Sequence, residues 1–258
     1  MLGDDVLQAF AAALNVEDSP IGRDILEQLV ENARIAREEQ RPICQDTGVA
    51  AIRVELGQDV HLEGGRLDDA INDGVRRGYG EGYLRKSIVR HPLDRVNTGD
   101  NTPASLHVEL VPGEQVRIAV LPKGGGCENM SRFKMLTPAA GAEGVRAFVL
   151  DCVREAGPNP CPPTVIGVGI GGTFDGSAWL AKRALFRPVG SVSPDPIMAA
   201  LERDLLEAVD ETGVGPSGLG GRTTALAVHI EWAPCHITSL PVSVCFNCHA
   251  ARYREAVL

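Results

Sequence analysis

Two spacings of apolar residues alternate along this chain, one near 3.6 residues and one of two, and they predict a mixed set of helices and strands. Residues 4–15 read as a short helix. Ser19-Pro20 then supplies an N-cap and a first-turn proline for a longer helix, which places Ile21, Ile25, Leu29, Ala33 and Ala36 on one face. Ile52, Val54 and Leu56 alternate with Arg53 and Glu55, the signature of a half-buried strand. A helix is predicted from Leu67 to about Arg77. Leu106/Val108/Leu110 and Val116/Ile118/Val120 alternate on either side of Pro112-Gly113-Glu114-Gln115, which predicts a β-hairpin. Further on, helical spacing covers 141–156 (Val145, Phe148, Val149 and Cys152 on one face), Asp175 to Phe186, and 195–212 with Ile197, Met198, Leu201, Leu205 and Val209 inward. Strands are expected at 164–170, at Leu226–Trp232 and from Pro241 to Phe246, and a short helix at the end of the chain.

A hairpin lying between helices favours a mixed α+β architecture over a doubly wound parallel sheet. The expected organisation is N-terminal helices (about 1–42) followed by mixed sheets with glycine-rich loops, all in one domain spanning 1–258; no internal repeat or linker is evident.

Composition narrows the function class. The apolar fraction of 44% and charged fraction of 23% are ordinary for a globular protein, whereas 29 glycines and 17 prolines call for many tight turns. A formal net charge of −9 argues against a nucleic-acid surface but is compatible with a small anionic substrate in a locally positive cleft. No run of about 18 apolar residues exists, so no membrane span is expected. Met1-Leu2-Gly3-Asp4-Asp5 lacks the basic start of a signal peptide, which places the protein in the cytoplasm. Seven cysteines (44, 127, 152, 161, 235, 245 and 248) should be reduced there, and an odd count suits metal or catalytic use better than disulfides.

Candidate chemistry gathers at the joints between elements. Pro42-Ile43-Cys44-Gln45-Asp46-Thr47-Gly48 joins a helix to a strand and offers a thiol, an amide, a carboxylate and a hydroxyl in succession; a polar turn with one buried cysteine is the simpler alternative. Lys123-Gly124-Gly125-Gly126-Cys127-Glu128-Asn129-Met130 lets backbone N–H groups approach a ligand closely, or is no more than a flexible turn. The polar stretch from Leu84 to Pro103 is long for a loop without function. Gly167, Gly169 and Gly172 form G-x-G-x-x-G, but no acidic residue ends a second parallel strand about 20 residues on, so a dinucleotide site is disfavoured. Cys152 reads as core packing. Cys245-Phe246-Asn247-Cys248-His249 matches the attachment pattern of a c-type haem, which conflicts with the missing export signal. Structural zinc on Cys235, His236, Cys245 and Cys248 is a second option, and would make this a zinc-stabilised, non-catalytic binding protein. A third takes Cys44, Cys161 and Cys248, one from each loop, as three thiolates on a four-iron cluster.

Cys44-Gln45-Asp46-Thr47-Gly48, the Lys123–Met130 loop, Cys161-Pro162-Pro163 with its glycine-rich strand, and His236 with Asn247-Cys248-His249-Ala250 together resemble the α subunit of the class I fumarate hydratases and L-tartrate dehydratases, the iron–sulfur hydro-lyases. The resemblance runs from about residue 20 to the end. It implies a [4Fe-4S] cluster held by Cys44, Cys161 and Cys248, with Asp46 as the acid–base carboxylate. Gln45, Arg85, Gly125 and His236 match substrate-contacting positions. The implied reaction interconverts fumarate and malate, a step of the tricarboxylic acid cycle, with dehydration of tartrate or a related 2-hydroxy diacid as the alternative. Cys127 stands where the family usually has serine. The single-chain enzymes carry a further C-terminal domain with a catalytic threonine and more cationic contacts. This chain stops before it, which implies a β subunit as partner, in an α2β2 assembly or with an α–α dimer.

Overall fold

The computed structural model describes residues 1–258 and separates into two compact units. Met1, Gln40–Gly125 and Arg252–Leu258 form the first; Leu2–Glu39 and Gly126–Ala251 form the second. The expected order, N-terminal helices followed by mixed β-sheets, is present.

The first unit is built on strand β1 (Val49–Gly57), whose Ala50, Ile52 and Val54 are buried. It pairs in parallel with β2 (Ser105–Val111) and antiparallel with β3 (Val116–Lys123). The predicted hairpin is therefore wrong: β1 lies between its two strands. Alternation with a period of two reveals which face of a strand is apolar but not which strand lies beside it. The most apolar strand takes the centre, where both of its ladders are satisfied. Residues 112–115 instead wrap the end of β1, where the Gly57 N–H donates to the Gln115 carbonyl at 2.9 Å and the Asp59 N–H to that of Gly113 at 3.0 Å.

Helix α3 (Leu67–Glu81) covers one face of this sheet, Ile71, Val75 and Tyr79 packing with Ile52 and Val54. The other face carries the alternating charges, with Arg53 paired to Glu109 at 3.0 Å and Arg117 to Glu55 at 3.1 Å. The end of the chain is a strand, not the expected helix. β8 (Arg254–Val257) joins the edge of β3, and Val116 and Leu258 exchange both backbone hydrogen bonds. So short a helix is marginal in water, whereas an open strand edge supplies a ladder at once.

The second unit holds a sheet of order β4-β7-β5-β6, comprising Arg132–Leu136, Leu240–Asn247, Thr164–Gly171 and Ala225–Ala233. β5 is buried along its whole length, parallel to β6 and antiparallel to β7. Helices α5 (Gly141–Ala156) and α7 (Pro196–Asp210) share a core with it through Val149, Val153, Leu205 and Val209. Helix α6 (Phe174–Ala184) packs directly on the glycines of β5. A Cβ on Gly167 would sit 2.1 Å from the Ala181 carbonyl oxygen, and one on Gly169 2.0 Å from that of Ser177. G-x-G here serves helix–sheet contact.

Helices α1 (Asp4–Val16) and α2 (Pro20–Glu38) start this unit, Ser19 capping α2 through a hydrogen bond from the Gly22 N–H. The inward stripe of α2 runs through Gly22, Leu26, Ala33 and Ala36, while Ile21 is 57% exposed. Ile197 of α7 is likewise 73% exposed; at 100° per residue it lies about 80° round the helix from Leu205. Glu17, at the corner between α1 and α2, accepts backbone N–H bonds from Ser19, Arg222 and Thr223. Burial works to raise its pKa, but these donors outweigh it and hold the carboxyl below the usual range. No helix of the chain is long and apolar enough to cross a membrane.

Candidate active site

The Cys44–Gly48 turn enters β1 of the first unit and is tied from several sides. Asp46 is the hub. Its Oδ2 accepts the Gly125 N–H at 2.8 Å, and its Oδ1 accepts the Gly48 N–H at 3.1 Å and an Arg85 guanidinium N–H at 3.2 Å. The carboxylate is a quarter exposed and the guanidinium 54% exposed, so the pair faces solvent. Gly125 opens the short helix α4 (Gly125–Glu128) directly after β3, which is how the glycine-rich segment delivers a backbone donor to Asp46.

Gly48 has to be glycine. Its φ is +69°, and an added Cβ would lie 2.4 Å from the Lys123 carbonyl. The carbonyls of Asp46, Thr47 and Gly48 all accept from buried or half-buried donors. Arg252 donates to the Asp46 carbonyl at 3.1 Å, and the Tyr79 hydroxyl reaches those of Thr47 (2.8 Å) and Gly48 (3.1 Å). Asn101 Nδ2 also donates to the Gly48 carbonyl at 3.0 Å. Thr47 Oγ1 in turn donates to the Arg85 carbonyl at 2.8 Å. Burial pushes the Tyr79 phenol up to about 12, Arg252 working to lower it and Asp46 to raise it, so the hydroxyl keeps the proton it donates.

Three of the sequence-predicted residues, Asp46, Arg85 and Gly125, are thus in direct contact. Gln45 is exposed beside them, its Oε1 accepting the Cys44 thiol at 3.3 Å. His236 belongs to the second unit, in an exposed turn after β6. Its Nδ1 accepts the Thr238 N–H at 3.2 Å, and the ring lines a cavity of about 390 Å³ with Ile197, Leu201, Cys235 and Ile237.

The expected [4Fe-4S] site is overturned: nowhere in the structure do three or more His, Cys, Asp or Glu side chains form a group that could hold a metal ion. Cys44 lies in the first unit and Cys161 and Cys248 in the second. The Cys44 sulfur is occupied within its own turn, accepting the Asp46 N–H at 3.4 Å. Exposed Cys161 has φ +55° and lies at a turn whose carbonyl accepts the His249 N–H at 3.2 Å. The zinc alternative fails on the same finding. Cys245 is buried on β7, accepting a hydrogen bond from Ser131 Oγ, while Cys235 is exposed and donates to the Ser239 carbonyl. Cys127 and Cys152 are core residues, and burial pushes the Cys152 thiol up to about 12.

Tyr79 and Asn101 escaped the sequence reading. Tyr79 lies past the predicted end of its helix at about Arg77; the helix in fact continues to Glu81 and carries Tyr79 on its buried face. Asn101 sits in Asn97-Thr98-Gly99-Asp100-Asn101-Thr102-Pro103, where the density of turn-forming side chains before a proline is the signal that could have singled it out.

The family profile described as Fumarate hydratase (Fumerase) matches residues 1–257. A Methanocaldococcus jannaschii protein provisionally named an L(+)-tartrate dehydratase subunit alpha is 42% identical over 257 residues, covering 97% of this chain and 90% of its own length. The L(+)-tartrate dehydratase subunit alpha of Escherichia coli is 36% identical over 253 residues, covering 96% of this chain and 83% of its own. That of Shigella boydii is 35% identical over the same span. With a profile match over nearly the whole chain and relatives 42% and 36% identical, the chain belongs to the hydro-lyase family of class I fumarate hydratases and L-tartrate dehydratase α subunits.

Proposed function

We propose that this chain is the α subunit of a dehydratase whose substrate is L-tartrate or a closely related 2-hydroxy diacid, with fumarate and malate second. The names carried by the relatives favour the tartrate side of the family. Loss of water from such a diacid breaks one C–O and one C–H bond. With tartrate it leaves an enol that becomes a 2-oxo diacid by moving one proton. The enzyme must fix two carboxylates, hand a proton to the departing hydroxyl and take one from carbon.

The observation that carries the proposal is the unequal anchoring of the donors on Asp46. Gly125 and Gly48 hold it with backbone N–H groups, whereas Arg85 reaches it with a long, half-exposed side chain. A substrate carboxylate offers Arg85 a two-oxygen partner that the single contact to Asp46 does not. Moving to it leaves Oδ1 of Asp46 open toward the hydroxyl, while Gly125 and Gly48 keep the carboxyl aimed. In this scheme Asp46 protonates the leaving hydroxyl, Arg85 binds the near carboxylate, and Gln45, exposed beside them, adds a contact. The second carboxylate and the proton on carbon call for a further cation and a base, which we assign to a β subunit.

Asp46→Asn tests the scheme. The variant complex should lose about 10²–10⁴ in kcat, the usual worth of a positioned acid–base group, with KM changed far less. A variant that turns over at near the parent rate removes Asp46 from this role.

A further inference from the structure

Asn101 is the one side chain that bonds both to the turn carrying Asp46 and to the segment carrying Arg85 through its own two polar ends. Its Nδ2 donates to the Gly48 carbonyl at 3.0 Å, two residues after Asp46. Its Oδ1 accepts the Ser87 N–H at 2.6 Å, two residues after Arg85. The residue is 0% exposed, in a stretch of chain otherwise rich in solvent-facing charge. Such an amide is costly to disturb, because removing its Oδ1 strands the Ser87 N–H away from water, while the Gly48 carbonyl would keep only the Tyr79 hydroxyl.

The local chain is shaped to bring that amide inward. Asn101 has φ +64°, a left-handed conformation that asparagine tolerates better than most residues. Its neighbour Asp100 fixes the turn, accepting the Thr102 N–H at 3.0 Å, the Thr102 hydroxyl at 2.8 Å and Arg76 Nε of α3 at 3.0 Å. These bonds hold the Asp100 carboxyl well below its ordinary pKa, the Thr102 N–H contributing most. The Asn101 side chain is therefore presented from a turn anchored on α3, the same helix whose Tyr79 hydroxyl reaches the Gly48 carbonyl.

We propose that Asn101 is a positioning residue for hydro-lyase catalysis: its amide sets the separation between the Asp46 carboxylate and the Arg85 guanidinium without touching substrate. The proposal rests on the assignment of Asp46 and Arg85 as the substrate-facing pair. Thr47 Oγ1, donating to the Arg85 carbonyl, closes a second link between the same two segments, so Asn101 fixes the angle between them and does not merely tether them. An error of about 1 Å at this point would misplace Arg85 relative to the proton donor, a displacement worth up to about 10²-fold in rate.

Asn101→Gly is the informative variant, since glycine accepts the positive φ and removes both hydrogen bonds without adding strain. In the complex with its β partner it should lower kcat/KM about 10- to 100-fold, mainly through KM. In an Arg85→Ala background the same change should cost no more than about twofold, because the positioning acts through Arg85. Val54→Ala, which opens a cavity in the core of the same unit, should lower stability while leaving kcat/KM within about twofold. Full additivity of Asn101→Gly with Arg85→Ala, or an equal loss from Val54→Ala, would show a purely structural role and overturn the proposal.

Amide hydrogen exchange on the parent chain needs neither a variant nor turnover. The Ser87 amide should be protected far beyond its loop neighbours; exchange at the rate of a free loop amide would also overturn the proposal. A complex that eliminates water from no diacid refutes the functional assignment instead and leaves the exchange result to stand by itself.

Discussion

Replacing Arg85 by alanine should separate binding from stability more cleanly than any other change in the site. In the free chain Arg85 meets Asp46 at 3.2 Å through one N–H, and the guanidinium is 54% exposed. An exposed pair of this kind is worth about 0.2–1 kcal/mol, and Asp46 keeps the Gly125 and Gly48 N–H donors when Arg85 is gone. The unfolding free energy should therefore fall by less than about 1 kcal/mol, read from the urea midpoint at constant slope. Binding is a different matter. If Arg85 holds a substrate carboxylate away from bulk water, each charge-assisted hydrogen bond is worth about 1.5–3 kcal/mol. Loss of one such bond raises KM about 10- to 150-fold, and loss of a two-oxygen contact raises it further. Arg85→Lys should recover part of the affinity, because it restores the charge but not the planar fork. The decisive comparison is KM against unfolding free energy in the same preparation. An unchanged KM, or a loss of stability above about 2 kcal/mol, would refute the assignment, since the first outcome removes Arg85 from substrate and the second makes it a structural residue.

Two further predictions concern the frame around the site and the second unit. Gly48→Ala meets both a positive φ and the Lys123 carbonyl at 2.4 Å, so it should cost about 2–4 kcal/mol; Gly99→Ala, at φ +83° with open space around it, should cost only the conformational part, about 1–2 kcal/mol. Equal losses in the two variants would remove the close approach from the explanation. Burial pushes the Asp210 carboxyl up to about 6, against the lowering effect of the Ala225 and Thr224 N–H groups that both bond its Oδ1. A folded pKa raised above the unfolded one stabilises the protonated native state, so this contribution is present below about pH 4 and is lost as pH rises through 6. Asp210→Asn, which keeps an Oδ1 acceptor and removes the buried charge, should therefore stabilise the chain by about 2–3 kcal/mol at pH 7.5 and by almost nothing near pH 4. Denaturant titrations at the two pH values decide it, and destabilisation at pH 7.5 would contradict the sign.

Local signals carried most of the fold and part of the site. Gly141–Ala156 and Ser19-Pro20 were legible because capping and helical spacing are written in neighbouring residues. The pairing of β1 between β2 and β3 was not, since partner choice depends on which strand can bury both ladders. The terminal residues Arg254–Val257 show the same limit, a helix-compatible stretch captured by the open edge of β3. Asp46, Gly125 and Arg85 could be picked out as chemistry-bearing residues, and the fold then explains their meeting: β3 ends beside the start of β1 and delivers Gly125. Expectations about Cys44, Cys161 and Cys248 failed as a metal set because three thiols far apart in sequence carry no local sign of where the fold will put them. Asn101 was hidden for a related reason, its role being set by the two turns it touches and not by its neighbours.

The most direct test of the account is the specificity of the purified α–β complex, measured as kcat/KM for water loss from L-tartrate and from malate under identical conditions. The account predicts formation of the 2-oxo diacid from L-tartrate, a clear preference for it over malate, and negligible turnover by the α chain alone. Malate dehydrated in preference to L-tartrate, or no loss of water from either diacid by a complex that binds them, would contradict it.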